Sequence, residues 1–277
     1  MVSERRDWGQ GAAEPPLEPN LPICDSHHHL WDRPGDSYLA DEFLTDMATG
    51  HNIVSTVAVE CHARYRATGP EEMRPTGETE FLDALARGTD GHRGPTVVAA
   101  GIIGHVNLTL GPAAVTMALE GHLTASPGRF RGIRHICTWD ASPAIPSAAP
   151  VRRAGLMLDR VFRESFAVLQ TYKLSFDACL FHPQLLELAS LAHAFPDVTI
   201  VVNHTGACWH RSPSKCTGQG VPDLEAGYHR HSLLSKRGDE ARRSWIATLR
   251  VRLGHPGRSS RLRRTGRGDG PVLPHLH

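Results

Sequence analysis

Near its N-terminus the chain carries Leu21-Pro22-Ile23-Cys24-Asp25-Ser26-His27-His28-His29, a short apolar run that ends in three histidines. If this run is a β-strand, its side chains alternate, so His27 and His29 share one side while His28 faces the other. Two imidazoles that point the same way can bind one metal ion or one anionic substrate. The segment therefore predicts a reaction centre at the end of a first strand, with His28 in a structural role.

Segments typical of strands and of helices alternate from about residue 21. The run Val198-Thr199-Ile200-Val201-Val202 is typical of a strand buried on both faces. The predicted strands are Ile23–His29, Val54–Glu60, Thr96–Ile103, Phe130–Ile136, Leu174–Phe181 and Val198–Asn203. The predicted helices are Glu78–Arg87, Pro112–Leu123, Asp159–Tyr172 and Pro183–Phe195, with a short helix around Phe43–Met47 and a further helical candidate at Glu240–Arg252. Repeated β–α units predict an α/β fold of the (β/α)₈ barrel type, here with about six units instead of eight.

The composition divides the chain into three parts. The composition predicts a flexible leader at residues 1–20, the barrel domain at residues 21–206, and a basic tail of low order at residues 207–277. The tail has a net charge of +9, and residues 1–206 have a net charge of −8. Since the tail contains no recognisable nucleic-acid-binding module, we expect no nucleic-acid partner. We expect the tail not to derive from the barrel family.

The remaining bulk properties indicate a cytoplasmic protein that acts on a small molecule. No apolar run approaches the length of a transmembrane helix, and the leader has no apolar core typical of a secretory signal. The six cysteines form no Cys-x-x-Cys pair and indicate no disulfide framework. We therefore expect no membrane partner. The sequence does not decide between a monomer and a homo-oligomer.

Polar residues follow the other predicted strands at their C-terminal ends, where (β/α)₈ enzymes carry their chemistry. Arg134, next to His135, can bind a substrate carboxylate bidentately, or it can pair with an acidic neighbour. Glu60, near His62, can orient the substrate or a histidine, or it can be a buried and satisfied carboxylate. His182 is interpreted as the N-terminal flank of a helix.

Five segments of the chain resemble the amidohydrolase superfamily. Within it they are most similar to the amidohydrolase-related branch, which includes fuconolactonase-like and 2-pyrone-4,6-dicarboxylate lactonase-like hydrolases. The segments are Asp25-Ser26-His27-His28-His29-Leu30-Trp31-Asp32, Val57-Ala58-Val59-Glu60, Phe130-Arg131-Gly132-Ile133-Arg134-His135, His182-Pro183-Gln184-Leu185 and Val202-Asn203-His204-Thr205-Gly206. They occur in the right order on a β/α repeat, and the resemblance covers about residues 21–206.

The resemblance implies hydrolysis of a lactone in a small carboxylated or sugar-derived substrate. It makes His27, His29 and His204 the catalytic residues, either as ligands of one divalent metal ion, best Zn²⁺, or in metal-independent chemistry that polarises the carbonyl. The substrate-binding residues that it implies are Glu60, Arg134 and His135. A metal-dependent decarboxylase of the same superfamily, and a catalytically inactive member, stay open as alternatives.

One expected residue is missing. The superfamily usually carries an Asp at the end of strand eight as a general base, but Asp223, Asp239 and Asp269 follow no buried strand. We expect strands seven and eight to be absent, and we hypothesise that the sequence after about residue 206 comes from a shifted reading frame or an alternative splice. Arg263-Arg264-Thr265-Gly266 is compatible with out-of-frame codons for Gly-Gly-Leu-Gly, which the family often carries. Six strands cannot close at the usual tilt, so we expect open edges at strands one and six, low solubility and poor activity.

Overall fold

The computed structural model describes residues 15–89, 96–145, 147–205 and 249–251. Its strands are β1 (Ile23–His28), β2 (Trp31–Arg33), β3 (Asp36–Tyr38), β4 (Ile53–Val59), β5 (Val97–His105), β6 (Phe130–Ile136), β7 (Ser175–Cys179), β8 (Ile200–Val202) and β9 (Leu249–Val251). Its helices are α1 (Ala40–Met47), α2 (Thr76–Thr89), α3 (Pro112–Ala125), α4 (Arg160–Tyr172) and α5 (Leu185–Ala194). None of the helices in these residues has the length and apolar character that a membrane crossing requires.

The strands form one main sheet in the order β1-β4-β5-β6-β7-β8-β9. Every neighbouring pair from β1 to β8 is parallel, and β9 pairs with β8 in the antiparallel direction. The two short strands β2 and β3 form a separate antiparallel hairpin. Within the described residues the fold is thus a curled, six-stranded part of a parallel barrel with helices between its strands. The predicted fold class, an incomplete (β/α)₈ barrel, is confirmed.

All six predicted strands of the barrel are present, and the predicted helices differ mainly at their ends. Asp159 is the N-cap of α4 instead of its first residue, because its carboxylate accepts a hydrogen bond from the Phe162 backbone N–H at 2.9 Å. Helix α5 begins at Leu185 instead of Pro183, since residues His182–Gln184 form a tighter 3₁₀ turn. His182 therefore lies at the start of this helical segment, as predicted.

Two expectations about the end of the chain need correction. The edge of the sixth barrel strand is not open, because β9 pairs along all of β8 and satisfies backbone groups that would otherwise lack partners. Residues 249–251, which the sequence indicated as helical, are this strand. The other residues of the predicted tail, including Asp223, Asp239 and Asp269, lie outside the described residues, as do residues 1–14 of the predicted leader.

The hydrophobic core lies between the sheet and its helices, and its largest members are aromatic. Phe162 and Phe166 of α4 and Phe176 of β7 are fully buried, and the rings of Phe166 and Phe176 meet edge to face at 5.0 Å. Burial of each such side chain stabilises the fold by about 1.5–3 kcal/mol. Because side chains alternate along β7, burying Phe176 and Ala178 on the helix side turns Asp177 toward the inside of the curled sheet. The sheet thereby separates an apolar layer from a polar, concave face.

Gly132 lies where β6 leaves no room for a side chain. A Cβ at this position would lie 2.1 Å from Ser175 Oγ and 2.6 Å from the Ser175 carbonyl oxygen, and Ser175 is its partner on β7. We expect Gly132→Ala to lower the free energy of unfolding by about 1–3 kcal/mol in urea denaturation, because the two strands must shift apart. Gly128→Ala is the matched control, since a Cβ there meets nothing within 4 Å. Equal losses in the two variants would contradict this prediction.

Candidate active site

His27 and His29 converge at the C-terminal end of β1. Their Nε2 atoms are 3.2 Å apart, and their rings meet edge to face with centroids separated by 4.9 Å. The Nδ1 atom of His29 donates a hydrogen bond to the Val59 carbonyl oxygen at 2.7 Å. In the neutral pair, His29 Nε2 therefore carries a lone pair and His27 Nε2 donates to it. Anchoring one ring nitrogen on a carbonyl is how a histidine is oriented toward a metal ion or a substrate.

Burial keeps both imidazoles neutral. It lowers the pKa of His27 to about 3, with further lowering by the charges of His29 and Arg134. Burial also lowers the pKa of His29, although its bond to the Val59 carbonyl opposes this shift. At pH 7 each neutral ring has a nitrogen lone pair, with which it can bind a metal ion or accept a hydrogen bond.

His28 lies on the opposite side of β1. Its Nε2 atom is 3.0 Å from Thr56 Oγ1, and its ring stacks on Phe43 with centroids 4.1 Å apart. The ring is buried between β1, β4 and α1. His28 thus has a packing role on the face of β1 opposite His27 and His29, as the alternation of side chains predicts.

His204 reaches the histidine pair from the other end of the sheet. It lies in the 3₁₀ turn Asn203–Thr205 directly after β8, with a left-handed φ of 51°. Its ring centroid is 5.0 Å from that of His27. The curl of the sheet therefore brings the first and the sixth barrel strands together, so that His27, His29 and His204 form one group.

Glu60 and Arg134 form a buried ion pair beside this group. Arg134 Nε donates to Glu60 Oε1 at 2.8 Å, and Arg134 Nη2 donates to the Glu60 carbonyl oxygen. Burial raises the pKa of Glu60, but the charges of Arg134 and His105 outweigh it and hold this pKa below its usual value. Of the two alternatives left open for Arg134, the structure contains the ion pair. A substrate carboxylate would have to compete with Glu60 for the guanidinium.

His62 stands on a strained loop beside Glu60. His62 and Arg64 have positive φ values of 65° and 54°, a backbone conformation that residues other than glycine rarely adopt. Two backbone N–H groups of the loop, those of Cys61 and Ala63, donate to Glu78 Oε1 at 2.8 and 3.0 Å. The loop thereby holds His62 Nδ1 at 3.5 Å from Glu60 Oε2.

A cavity of about 360 Å³ opens next to this loop. Its walls include aromatic, imidazole and amide side chains as well as charged ones. They are His62, Tyr65, Glu71, Glu72, Arg74, Pro75, His105, Asn107, Leu110 and Pro150. A cavity of this size next to convergent polar groups is the usual setting for a small-molecule ligand.

His135 lies apart from the other predicted site residues. Its side chain is fully buried and meets the ring of Phe162 on α4 edge to face at 5.4 Å. It follows Arg134 on β6, so the two side chains point to opposite faces of the sheet. His135 therefore faces the helix layer, while Arg134 faces the histidine group.

The sequence did not point to two buried residues near the site, Asp177 and His105. Asp177, in the middle of β7, accepts a hydrogen bond from Asn203 Nδ2 at 3.0 Å. Burial raises the pKa of Asp177 to about 6, although the bond to Asn203 opposes this shift. His105 ends β5, with its ring centroid 5.8 Å from that of His62. A lone carboxylate within the apolar strand was the available signal for Asp177, because such a group must be compensated.

The histidine group fits a metal ion in part. In a tetrahedral zinc site with Zn–N distances of about 2.0–2.1 Å, two ligand nitrogens lie roughly 3.3 Å apart. The 3.2 Å between His27 Nε2 and His29 Nε2 is close to that separation. Across the described ranges, however, no three His, Cys, Asp or Glu side chains are placed closely enough to hold an ion together. His204 is the third imidazole of the group, and its ring would have to move closer.

His135 should make the stability of the protein depend on pH. Burial lowers its pKa from 6.5 to about 3, so between these values the unfolded chain binds a proton that the folded chain does not. Stability is therefore lost as the pH falls below 6.5. We expect His135→Gln to remove about 2 kcal/mol of the loss between pH 6.5 and 5.

Urea denaturation at both pH values measures this difference. Glu78 and Asp177, whose pKa values are raised by burial, act in the opposite direction, so only the comparison with the variant isolates His135. Parallel stability curves for the two proteins would contradict the prediction.

Comparison with known proteins gives one family. The family model described as amidohydrolase matches residues 24–232. The uncharacterized protein y4mH of Sinorhizobium fredii is 30% identical over 211 residues, which are 68% of this chain and 63% of that protein. The crystal structure of an amidohydrolase from Burkholderia multivorans with bound zinc has 21% identity and a TM-score of 0.50, over 75% of this chain and 64% of that one.

A further structural neighbour is a probable 2-pyrone-4,6-dicarboxylic acid hydrolase from Acinetobacter baumannii with citric acid bound. It has 14% identity and a TM-score of 0.47, over 77% of this chain and 66% of that one. The chain thus spans 63% of the curated relative and 64% of the Burkholderia protein. The family match extends past Gly206 into the basic segment.

Proposed function

We propose, from the premise that this chain belongs to the amidohydrolase family, that its site hydrolyses a lactone of a small carboxylated or sugar-derived molecule. The family resemblance inferred from the five sequence segments is confirmed. The observation that carries the proposal is the convergence of His27 Nε2 and His29 Nε2 at 3.2 Å. It supports a centre at which one ion or one polar substrate atom is held by both rings.

In this proposal His27 and His29 would hold a divalent metal ion, best Zn²⁺, and His204 would be the third ligand once its ring moves closer. A bound zinc ion would polarise the lactone carbonyl and lower the pKa of a water molecule. The chain supplies the orientation of its ligands, since the Val59 carbonyl fixes the ring of His29. In the metal-independent alternative, the same imidazoles contact the carbonyl directly.

Arg134 and Glu60 pair with each other, which is one of the two arrangements that the sequence left open for Arg134. Because Glu60 already occupies two guanidinium nitrogens, we propose that Arg134 stabilises negative charge that develops on the carbonyl oxygen. Its charge acts on His27 and His29, whose pKa values it helps to lower. The cavity lined by His62, Tyr65 and Asn107 would receive the rest of the substrate.

The test is a panel of sugar lactones and carboxylated lactones, assayed with the purified chain in the presence of Zn²⁺ and of a chelator. We expect ring opening that needs both His27 and His29 and that releases one acid equivalent per lactone. Release of CO₂ from a carboxylated substrate would support a decarboxylase instead. Metal binding by a folded chain without turnover on the panel would support an inactive family member, and it would overturn the proposed activity.

A further inference from the structure

A buried hydrogen bond joins the last two barrel strands of the described sheet. Asn203 Nδ2, directly after β8, donates to Asp177 Oδ2 on β7 at 3.0 Å. The two residues are only 3% and 5% exposed. A carboxylate removed from water in this way needs a polar partner, so the protein is expected to keep this bond.

Asn203 immediately precedes His204, and the backbone of His204 is in an unfavourable conformation. The φ of 51° lies in the left-handed region, which costs free energy for a residue with a Cβ. Such a turn persists only when its surroundings hold it in place. The side chain of Asn203, tied to the wall of the barrel, is such a restraint.

The turn determines where the third histidine lies. It places the His204 ring 5.0 Å from the ring of His27. Strands β7 and β8 pair in regular register from Phe176 to Ala178. The anchor of His204 is therefore built from β7 and from the turn that directly follows β8.

We propose that Asp177 is a positioning residue, which through Asn203 fixes the turn that presents His204 to His27 and His29. The inference rests on the proposed function, because it assigns His204 to the same centre. It gives Asp177 and Asn203 a role that is exerted through the position of His204. A purely structural role would instead change stability and leave the geometry of the histidine group intact.

The test uses the full chain, with Co²⁺ as the metal probe and visible absorption as the readout. We expect Asp177→Ala and Asn203→Ala to weaken Co²⁺ binding by about 10–100-fold, the usual effect of losing a group that orients a ligand. The exchanged double variant, Asp177→Asn with Asn203→Asp, restores an amide–carboxylate bond of reversed polarity. We expect it to recover most of the affinity.

The surface of the protein offers a matched control. Gln170 Nε2 donates to Asp197 Oδ2, also at 3.0 Å, but this pair is exposed. Asp197→Ala should leave Co²⁺ binding unchanged. Wild-type affinity in folded Asp177→Ala, or no recovery in a folded exchanged variant, would overturn the proposal. If Asp177→Ala does not fold, Asn203→Ala, which leaves the interior of β7 intact, decides the question.

A second readout separates this inference from the proposed function. In the metal-free protein, a nuclear Overhauser effect between the rings of His27 and His204 is expected in the wild type and in the exchanged variant, but not in Asn203→Ala. If the wild type binds no Co²⁺ yet shows this pattern, the metal site fails and the positioning role stands. Its persistence in Asn203→Ala, or its absence in the wild type, would overturn the positioning role.

Discussion

Replacing Arg134 with methionine is expected to lower the free energy of unfolding by about 3–5 kcal/mol, because it leaves the Glu60 carboxylate buried without its counter-ion. Glu60 is fully buried and Arg134 is nearly so. Arg134 also bonds the Glu60 carbonyl, so the end of β4 loses a backbone contact as well. Urea denaturation at pH 7 and pH 5 measures the effect. The loss should be smaller at pH 5. Without Arg134, the burial of Glu60 raises the pKa of its carboxylate, so that the variant can take up a proton there.

Two controls define what this result means. Arg66 and Glu80 form an ion pair whose side chains are 40% and 46% exposed, and Arg66→Met should cost no more than about 1 kcal/mol. The double variant Glu60→Gln with Arg134→Met removes both charges and should recover a large part of the loss. If Arg134→Met is no more costly than Arg66→Met, the buried ion pair does not stabilise the fold more than an exposed one does.

Removing the His29 side chain should strongly weaken metal binding, whereas removing the adjacent His28 side chain should not. His29→Ala takes away one of two converging Nε2 atoms, and we expect Co²⁺ affinity to fall by more than about 100-fold, beyond the effect of losing an orienting group. His28→Ala removes a ring that contacts Thr56 and Phe43 on the other face of β1. We expect this variant to keep the affinity and lose about 1–3 kcal/mol of stability.

Titration with Co²⁺ and urea denaturation of both variants give the two quantities. The contrast is sharp because the residues are adjacent in sequence and have the same chemistry. Equal metal affinity in His28→Ala and His29→Ala would show that the alternation of side chains along β1 does not define the site.

The sequence predicted the barrel elements well because their signals are local. The β-branched run from Val198 to Val202 and the apolar spacing of Asp159–Tyr172 reflect burial along a single element. The separation of His28 from its neighbours follows from the same local rule. Applied to Arg134 and His135, the rule separates these two as well, and the structure places them on opposite faces.

Other features have no local signal. The bond between Asp177 and Asn203 joins residues 26 positions apart, and the ion pair between Glu60 and Arg134 joins residues 74 positions apart. The pairing of Leu249–Val251 with β8 depends on a free strand edge, which exists only once the sheet has formed.

The sequence by itself determined that this chain alternates strands and helices, that it belongs to the amidohydrolase family, and which histidines share a side of the first strand. These properties follow from the periodicity of apolar residues and from the order of the motifs, which can be read directly from the sequence. Only the tertiary structure decided that Arg134 is held by Glu60, that His135 faces the helices, and that His204 lies against His27. Those outcomes depend on sheet register and curl, which set distances between residues that the chain itself keeps far apart.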